Sequence, residues 1–577
     1  VPRANDVVEA VLVEYADLLS ITSDDPFKAR AYEKAARAVG GYHADVATMD
    51  LKAILAIPNV GKSIGEKIHE YLTTGQIQAL EDLREQIPDG VRQLLSVPGL
   101  GPKKAMVVYR ELGIASVDEL LDAVQDHRLA ELRGFGEKTE ENVRRGIRQV
   151  RESGGRVLIS LAMDLAEELL AELEPMREVL RASYAGSLRR MAESIGDIDL
   201  LVASEDPAPV MERFTTLPVV DRVLAHGETK SSVTTSKGLQ VDLRVIAPDV
   251  WGAALIYFTG SKAHNIRIRE MAVRKGLKLS EYGLFEAASG ELIVAETEED
   301  VYERLGLPYI EPTLREDRGE VEAALEGELP SILELGQIKG DLHTHTNLTD
   351  GLAPLEEMLE AAAERRYAYY AVTDHAPNLY MQRMTDDKIL AQRALVSELQ
   401  PRYPRMTLLH GSELNIDPDG NVDWPQEFLR GFDILVASVH SHFNQSKDDM
   451  TRRIVRAMEH PCVHIIGHPT ARMIGKRQPI EYDLDEVFRA AARTGTALEV
   501  NGFPDRLDLR DEHVLWAKRH GVRFAVDTDS HAAVHLSNMR FGVATAQRGW
   551  LTKDDVINAW PIAKLRRFLR KDAAAAR

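Results

Sequence analysis

Seven apolar runs in the last two-fifths of the chain each end at or just before a polar residue that can bind a metal. They read IKGDLHTH, YYAVTDH, TLLHGSELN, ILVASVH, VHIIGH, ALEVN and RFAVDTDSH. Between them lie helical stretches such as LEEMLEAAAERR and LDEVFRAAARTG, so the pattern reads as parallel strands with crossover helices. Side chains from the ends of many parallel strands meet at one spot only if the strands close into a barrel. The C-terminal rim of such a barrel is where β/α enzymes place their chemistry. Thirteen of the 18 histidines follow Lys339. The candidate ligands are His343, His345, Asp350, His375, Glu413, His440, His468, Asp529 and His531. Imidazole mixed with carboxylate, and no thiolate, suits Mn²⁺, Zn²⁺ or Fe²⁺ better than Mg²⁺ or Ca²⁺. Nine ligands exceed what one or two ions with open positions require, so up to three ions are expected. His410, His442 and His464 are expected to be structural or to support the ligands from behind. The pattern implies a multi-metal hydrolase.

At 577 residues the chain is too long for one core, and three or more domains are expected. No apolar run approaches the ~20 residues that span a bilayer, and the opening VPRANDVVEA has no signal-peptide core. The single cysteine, Cys462, excludes an intrachain disulfide and suits a reducing cytoplasm. The net charge of −20 argues against attraction of the whole molecule to nucleic acid. Any such contact must come from local basic groups, helix N-termini and bound cations.

One local pattern occurs three times in the first 150 residues: IPNVGKSIGEKI, VPGLGPKKAMVV and LRGFGEKTEENV. Glycines at the turn (Gly61; Gly99 and Gly101; Gly134 and Gly136) permit close approach of another backbone. The helix that follows offers unpaired N–H groups and a positive dipole end. This is a helix-hairpin-helix, which grips phosphates without reading bases. Lys62, Lys67, Lys103, Lys104 and Lys138 follow the turns.

A third constellation lies at 184–201, YAGSLRRMAESIGDIDLL. Asp197 and Asp199, two apart on a strand-like run, face one side, and Asp242 in LQVDLRVI joins them from a neighbouring strand. Three carboxylates this close repel by about 4 kcal/mol per pair at an effective dielectric near 20, and stay ionised together only around cations. Two Mg²⁺ ions held there would bridge an attacking hydroxyl and a leaving phosphate. Gly186-Ser187 offers a hydroxyl and amides to a phosphate, with Arg190 as counter-charge. The later run YFTGSKAHN (257–265) sets aromatics, a glycine and an asparagine in one turn.

On GSLRRMAESIGDIDLL, VDLRV and YFTGSKAHN the chain resembles, over essentially its whole length, the family X DNA polymerases of the polymerase beta type with a C-terminal PHP domain. The resemblance implies a multidomain α+β and α/β protein. Its parts would be a lyase-like helical domain with the first hairpin (1–80), a fingers domain (81–150), a nucleotidyltransferase palm with a mixed sheet (151–260), a thumb (261–318), a linker (319–337) and a seven-stranded distorted β/α barrel (338–572). It implies that Asp197 and Asp199 hold both palm metals and that Asp242 helps activate the primer 3′-hydroxyl. Gly186, Ser187, Arg190 and Gly196 would lie at the triphosphate, and Tyr257, Phe258, Gly260 and Asn265 around the nucleotide. Lys262 stands where the animal-type enzymes carry Asp. Lys67 matches the Schiff-base lysine of the lyase relatives, and Lys28 and Tyr32 match their phosphate pocket. Ser63, Ala79 and Phe27, however, stand where those relatives carry Lys, Lys and His. The implied activities are gap-filling synthesis and 3′–5′ exonuclease or related phosphoesterase work on gapped or primer-template DNA with dNTPs. A monomer in the bacterial or archaeal cytoplasm is expected, with Na⁺ or K⁺ seated at the hairpins. Two rival readings are a polymerase fused to a small-molecule phosphatase, and a non-catalytic DNA-end binder.

Overall fold

Amphipathic segments of the first 147 residues bury a common helical core that runs through Val39, Ile54, Ile68, Leu94, Val108, Leu120 and Val143. The computed structural model describes residues 4–571 except 23–25, 43, 88–90, 92–93, 95–96, 98–99, 133, 137–138, 145, 148–154, 380–381 and 383. One cluster thus spans the two helical domains expected on either side of residue 80. Gly99 and Lys138 lie outside the described residues.

The next unit is a five-stranded mixed sheet: β1 (Arg181–Tyr184), β2 (Asp197–Ala203), β3 (Val220–His226), β4 (Lys230–Thr235) and β5 (Gln240–Ile246), in the order β1-β2-β5-β4-β3. Only β2 and β5 run parallel. The helices Ile159–Leu173 and Pro207–Thr215 pack on it through Leu165, Leu169, Val210 and Phe214. A smaller unit follows, with a three-stranded antiparallel sheet at 277–294 and a core that includes Ile268, Tyr302 and Ile310. Ala253 and Ile256 belong to this second core, so the boundary expected at 260 separates helix Trp251–Thr259 from its packing partners. Residues 319–337, expected as a linker, are packed chain. Val321 and Ala324 enter the same core, Glu320 is buried against His264 at 2.6 Å, and Leu333 enters the barrel core. The acidic composition of this segment conceals a short apolar face.

The barrel strands are β6 (Gly340–Asp341), β7 (Tyr369–Val372), β8 (Thr407–Asn415), β9 (Ile434–Ser438), β10 (Ile465–Ile466), β11 (Ala497–Asn501) and β12 (Phe524–Asp527), all parallel and in sequential order. Side chains bring the ring nearly to closure: Leu342 N donates to Asp527 at 2.9 Å, and Thr528 donates to Asp341 across the gap. All seven apolar runs become strands or strand ends. Among the described residues no helix is long and apolar enough to cross a membrane.

Candidate active sites

The pleat of β2 sends Ile198, Leu200 and Val202 into the core and leaves Asp197 and Asp199 on the open face. Register places Asp199 directly opposite Asp242. Burial, reinforced by Asp197 and Asp242, pushes the Asp199 carboxyl up to about 6. Asp242 is held differently. Lys230 Nζ lies 2.9 Å from one oxygen, and Gln240 Nε2 donates to the other at 2.9 Å. Burial raises its pKa, but these bonds outweigh burial and leave it below the ordinary value. Sequence reasoning missed Lys230 and Gln240. Gln240 precedes Asp242 by two on the same strand, and so shares its face, whereas Lys230 comes from the neighbouring strand, two residues before Ser232, which pairs with Asp242.

Gly186 adopts φ +60°, and a Cβ there would sit 2.4 Å from Asp199 Oδ2, so only glycine lets the Gly186-Ser187 turn lie against the carboxylates. Ser187 and Gly196 lie half-buried beside it. The turn is held from behind, because Arg189 pairs with Glu298 at 2.6 Å and Glu298 also pairs with the buried Arg315 at 2.7 Å. Arg190, expected at the triphosphate, is engaged by Glu316 at 3.0 Å and by the Thr259 carbonyl at 2.5 Å. Gly260 (φ +70°) lies against this guanidinium. The run 257–265 is not one turn but two helix ends. Tyr257 and Phe258 close helix Trp251–Thr259, and Asn265 begins helix Lys262–Arg274. Phe258 stacks under Arg244 at 4.6 Å, while Tyr257 is exposed. Asn265 is buried and donates to the Tyr257 carbonyl at 2.8 Å, which staples the two helices.

In the first helical unit Gly61 and Gly101 are the N-cap residues of helices Lys62–Thr74 and Pro102–Leu112. The carbonyl of Gly136 receives the first amides of the third hairpin's helix, and Gly134 (φ +86°) shapes that turn. A Cβ on any of these four glycines would meet nothing within 4 Å, so the room lies outside the protein. Lys28, Lys62 and Lys103 are exposed. Tyr32 is only 2% exposed and packs on the Tyr15 ring at 4.6 Å. Lys67 Nζ lies 5.7 and 5.9 Å from these two rings and 3.4 Å from Ser63 Oγ.

The barrel gathers all nine expected ligands. Glu413, on β8, is the hub: its oxygens lie 3.5 Å from His343 and from His345, 2.9 Å from His375, 3.1 Å from His440 and 3.0 Å from His468. Asp529 lies 3.2 Å from His345, and Asp350 lies 3.2 Å from His375 and 3.5 Å from His531. Three overlapping groups each fit one ion: His345/Asp350/His375/His531, His343/His345/Asp529 and His375/Glu413/His440. The donor atoms face each other without pairing well. Nitrogens of His343, His345 and His375 are buried within 3.5 Å of carboxylate oxygens yet make no well-aligned hydrogen bond to them. Buried orphan nitrogens beside carboxylates fit cations, which satisfy both at once. Burial opposes charge on His343, but Glu499, Glu413 and Asp529 outweigh it and hold its pKa well above the ordinary value.

Two orienting groups escaped the sequence reading. Glu499 accepts from His343 Nδ1 at 2.6 Å and from the His468 amide, and Asn415 Oδ1 meets His440 Nδ1 at 2.7 Å. Each fixes the ring whose far nitrogen faces the nest. Both lie in apolar runs singled out above, ALEVN and TLLHGSELN. His410, stacked on Phe432, and His464, which accepts the Leu435 amide, serve the framework.

A carboxylate trio on a mixed sheet, a second site of clustered imidazoles at a parallel barrel, and paired helical hairpins ahead of both define a nucleotidyltransferase joined to a PHP-type phosphoesterase. Comparison with known proteins agrees. Residues 3–77 match a helix-hairpin-helix domain, 91–149 a SAM-like helix-hairpin-helix tandem, 254–316 the DNA polymerase beta thumb and 341–502 the PHP domain. The DNA polymerase/3′-5′ exonuclease PolX of Bacillus subtilis (strain 168) is 36% identical over 565 residues, 97% of this chain and 98% of its own. DNA polymerase lambda of Rattus norvegicus is 26% identical over 323 residues, 51% of this chain and 53% of its own. A probable phosphatase of Thermoanaerobacter sp. (strain X514) is 28% identical over 243 residues, 40% of this chain and 94% of its own. The chain belongs to the PolX family, the bacterial family X DNA polymerases that carry a C-terminal PHP domain.

Proposed function

We propose that this protein is a DNA polymerase that fills short gaps with its palm and trims 3′ ends with its barrel. The observation that carries the reading is the coexistence of two separate cation-binding constellations, one of carboxylates alone and one rich in imidazole, in a chain similar end to end to a polymerase/exonuclease. Two Mg²⁺ suit the palm and up to three Mn²⁺, Zn²⁺ or Fe²⁺ the barrel. When bound, such ions lower the pKa of an attacking hydroxyl or water and offset charge growing on the phosphoryl oxygens.

The chain's own residues do the rest. Asp197, Asp199 and Asp242 would hold the palm cations, and Asp242, held here by Lys230, would also receive the proton of the primer 3′-hydroxyl. Ser187 and the amides of its turn receive the triphosphate, and Arg190 joins them by releasing Glu316. The hairpin glycines admit the sugar-phosphate backbone, and Lys62 and Lys103 neutralise it. In the barrel, Glu499 and Asn415 hold two imidazoles in one tautomer and orientation.

The test is a pair of double variants assayed on one gapped primer-template. Asp197→Ala with Asp199→Ala is expected to abolish synthesis and keep 3′-end trimming. His343→Ala with His345→Ala is expected to do the reverse. Loss of both activities in either variant would refute the two-site assignment. Hydrolysis of histidinol phosphate in preference to a DNA 3′ end would move the barrel to the small-molecule phosphatases.

A further inference from the structure

Arg506 belongs to none of the expected ligand sets, yet its guanidinium enters the barrel nest. Its Nε lies 3.4 Å from Asp529 Oδ2, and its Nη1 is buried without a hydrogen-bond partner among the described residues. A guanidinium in such a place is costly unless an anion completes it. Asp529 is a poor long-term partner, because its other oxygen faces His343 and His345 and the same carboxylate is committed to cations. With those cations in place, Arg506 would be one more positive charge beside several; Asp505 and Asp508 also act on it, and a phosphoryl oxygen would add a negative charge within reach of the unpartnered Nη1.

The turn that carries Arg506 is built to stay still. The amides of Arg506 and Leu507 both donate to the Phe503 carbonyl, at 2.8 and 3.0 Å. Arg472 Nε donates to the Arg506 carbonyl at 2.9 Å, and the same guanidinium reaches the Leu507 carbonyl. The buried Asp508 accepts from both the amide and the hydroxyl of Thr470, at 2.8 and 2.9 Å. Leu507 sits at φ +41°, a conformation that a leucine adopts only under constraint. Its side chain is buried in the palm's core. Rigid placement of a forked donor beside a cation nest is what recognition of a phosphoryl oxygen requires.

The geometry points to Arg506 as the residue that binds a non-bridging oxygen of the scissile phosphodiester, and then of the released 5′-mononucleotide, at the barrel site. This rests on the nuclease reading above. In that reaction the oxygen of one water bonds to phosphorus, the bond from phosphorus to the penultimate 3′-oxygen breaks, and that oxygen takes up a proton. The phosphate held by Arg506 therefore leaves on the product, which makes product affinity a direct measure of its role.

The experiment compares full-length wild type, Arg506→Gln and Arg506→Lys, each loaded with Mn²⁺. Three quantities are measured: bound manganese, affinity for deoxyadenosine 5′-monophosphate by calorimetry, and steady-state trimming of a 3′ end. All three proteins are expected to hold the same manganese. Arg506→Gln is expected to bind the mononucleotide between about ten- and a hundredfold more weakly, the range of a lost charge-assisted hydrogen bond, with a matching fall in kcat/KM. Arg506→Lys should recover part of the affinity, since it keeps the charge but not the fork. Equal mononucleotide affinity in wild type and Arg506→Gln overturns the proposal. Loss of manganese in either variant also overturns it, because Arg506 would then act by positioning Asp529. A wild type that holds manganese but neither binds the mononucleotide nor trims a 3′ end refutes the nuclease reading itself, and this proposal with it.

Discussion

Asp199 carries the clearest electrostatic stress among the palm residues, and its consequence can be measured without DNA. Its folded pKa of about 6 stands above the ordinary carboxylate value of 3.8. The folded protein therefore binds this proton more tightly than the unfolded chain does. Below about pH 4 the group is neutral in both states. As the pH rises through 6 the folded state must carry a buried charge beside Asp197 and Asp242, and stability falls. The full cost approaches about 3 kcal/mol, from two pKa units at 1.36 kcal/mol each. Asp199→Asn is thus expected to raise the melting midpoint of the metal-free protein at pH 8, with the gain fading toward pH 4. A gain equal at both pH values would refute this account. The trio itself was legible in the sequence, because alternation on a strand fixes which side chains share a face. Lys230 on Asp242 and Glu499 on His343 were not legible. A sequence shows which residues share a strand face, but not which side chain of the next strand leans onto it.

At the scale of elements, local pattern foretold the strands and hairpins well, because each is a short-range consequence of periodicity and glycine placement. The barrel's seven runs became seven strands for that reason. The apolar face of residues 319–337 and the burial of Tyr32 against Tyr15 depend on packing between separate elements, and so stayed hidden. The hairpins allow a separation of folding from binding. At Gly61 and Gly101 the φ values are −77° and −63°, and a Cβ meets nothing. Gly61→Ala with Gly101→Ala is expected to cost at most about 1 kcal/mol per helix cap, and to weaken gapped-DNA affinity by blocking backbone approach. Lys62→Ala with Lys103→Ala works through charge instead. It should lower affinity and flatten the slope of log K against log salt by about 2, near one unit per phosphate contact. An unchanged slope would remove both lysines from the interface.

At the scale of the whole molecule, the barrel is fused to the palm by a seam that touches both sites. Arg472 pairs with Glu193 at 2.7 Å. Glu193 lies in the palm loop between Arg190 and Asp197, and the same guanidinium clamps the Arg506 turn. Lower on the seam, Arg548 donates to the Arg190 carbonyl at 2.7 Å and to Glu316 at 2.8 Å, and is itself held by Asp511 at 2.9 Å. Leu507 and Phe541 complete the palm's own apolar core. The first helical unit docks on the barrel as well, where Gly41 lies against Leu352 and Ala532, neighbours of Asp350 and His531. A cation in neither site therefore supports both. Arg472→Met is expected to lower synthesis and 3′-end trimming together, although Arg472 touches neither metal cluster. Glu193→Gln should reproduce only the part that passes through their ion pair. In a double-mutant cycle the two changes should couple by about 0.5–3 kcal/mol in thermal or denaturant stability, the range for residues in direct contact. Additive effects would mean that Arg472 serves the barrel turn alone, with the palm loop held in place by Arg548 and the apolar contacts.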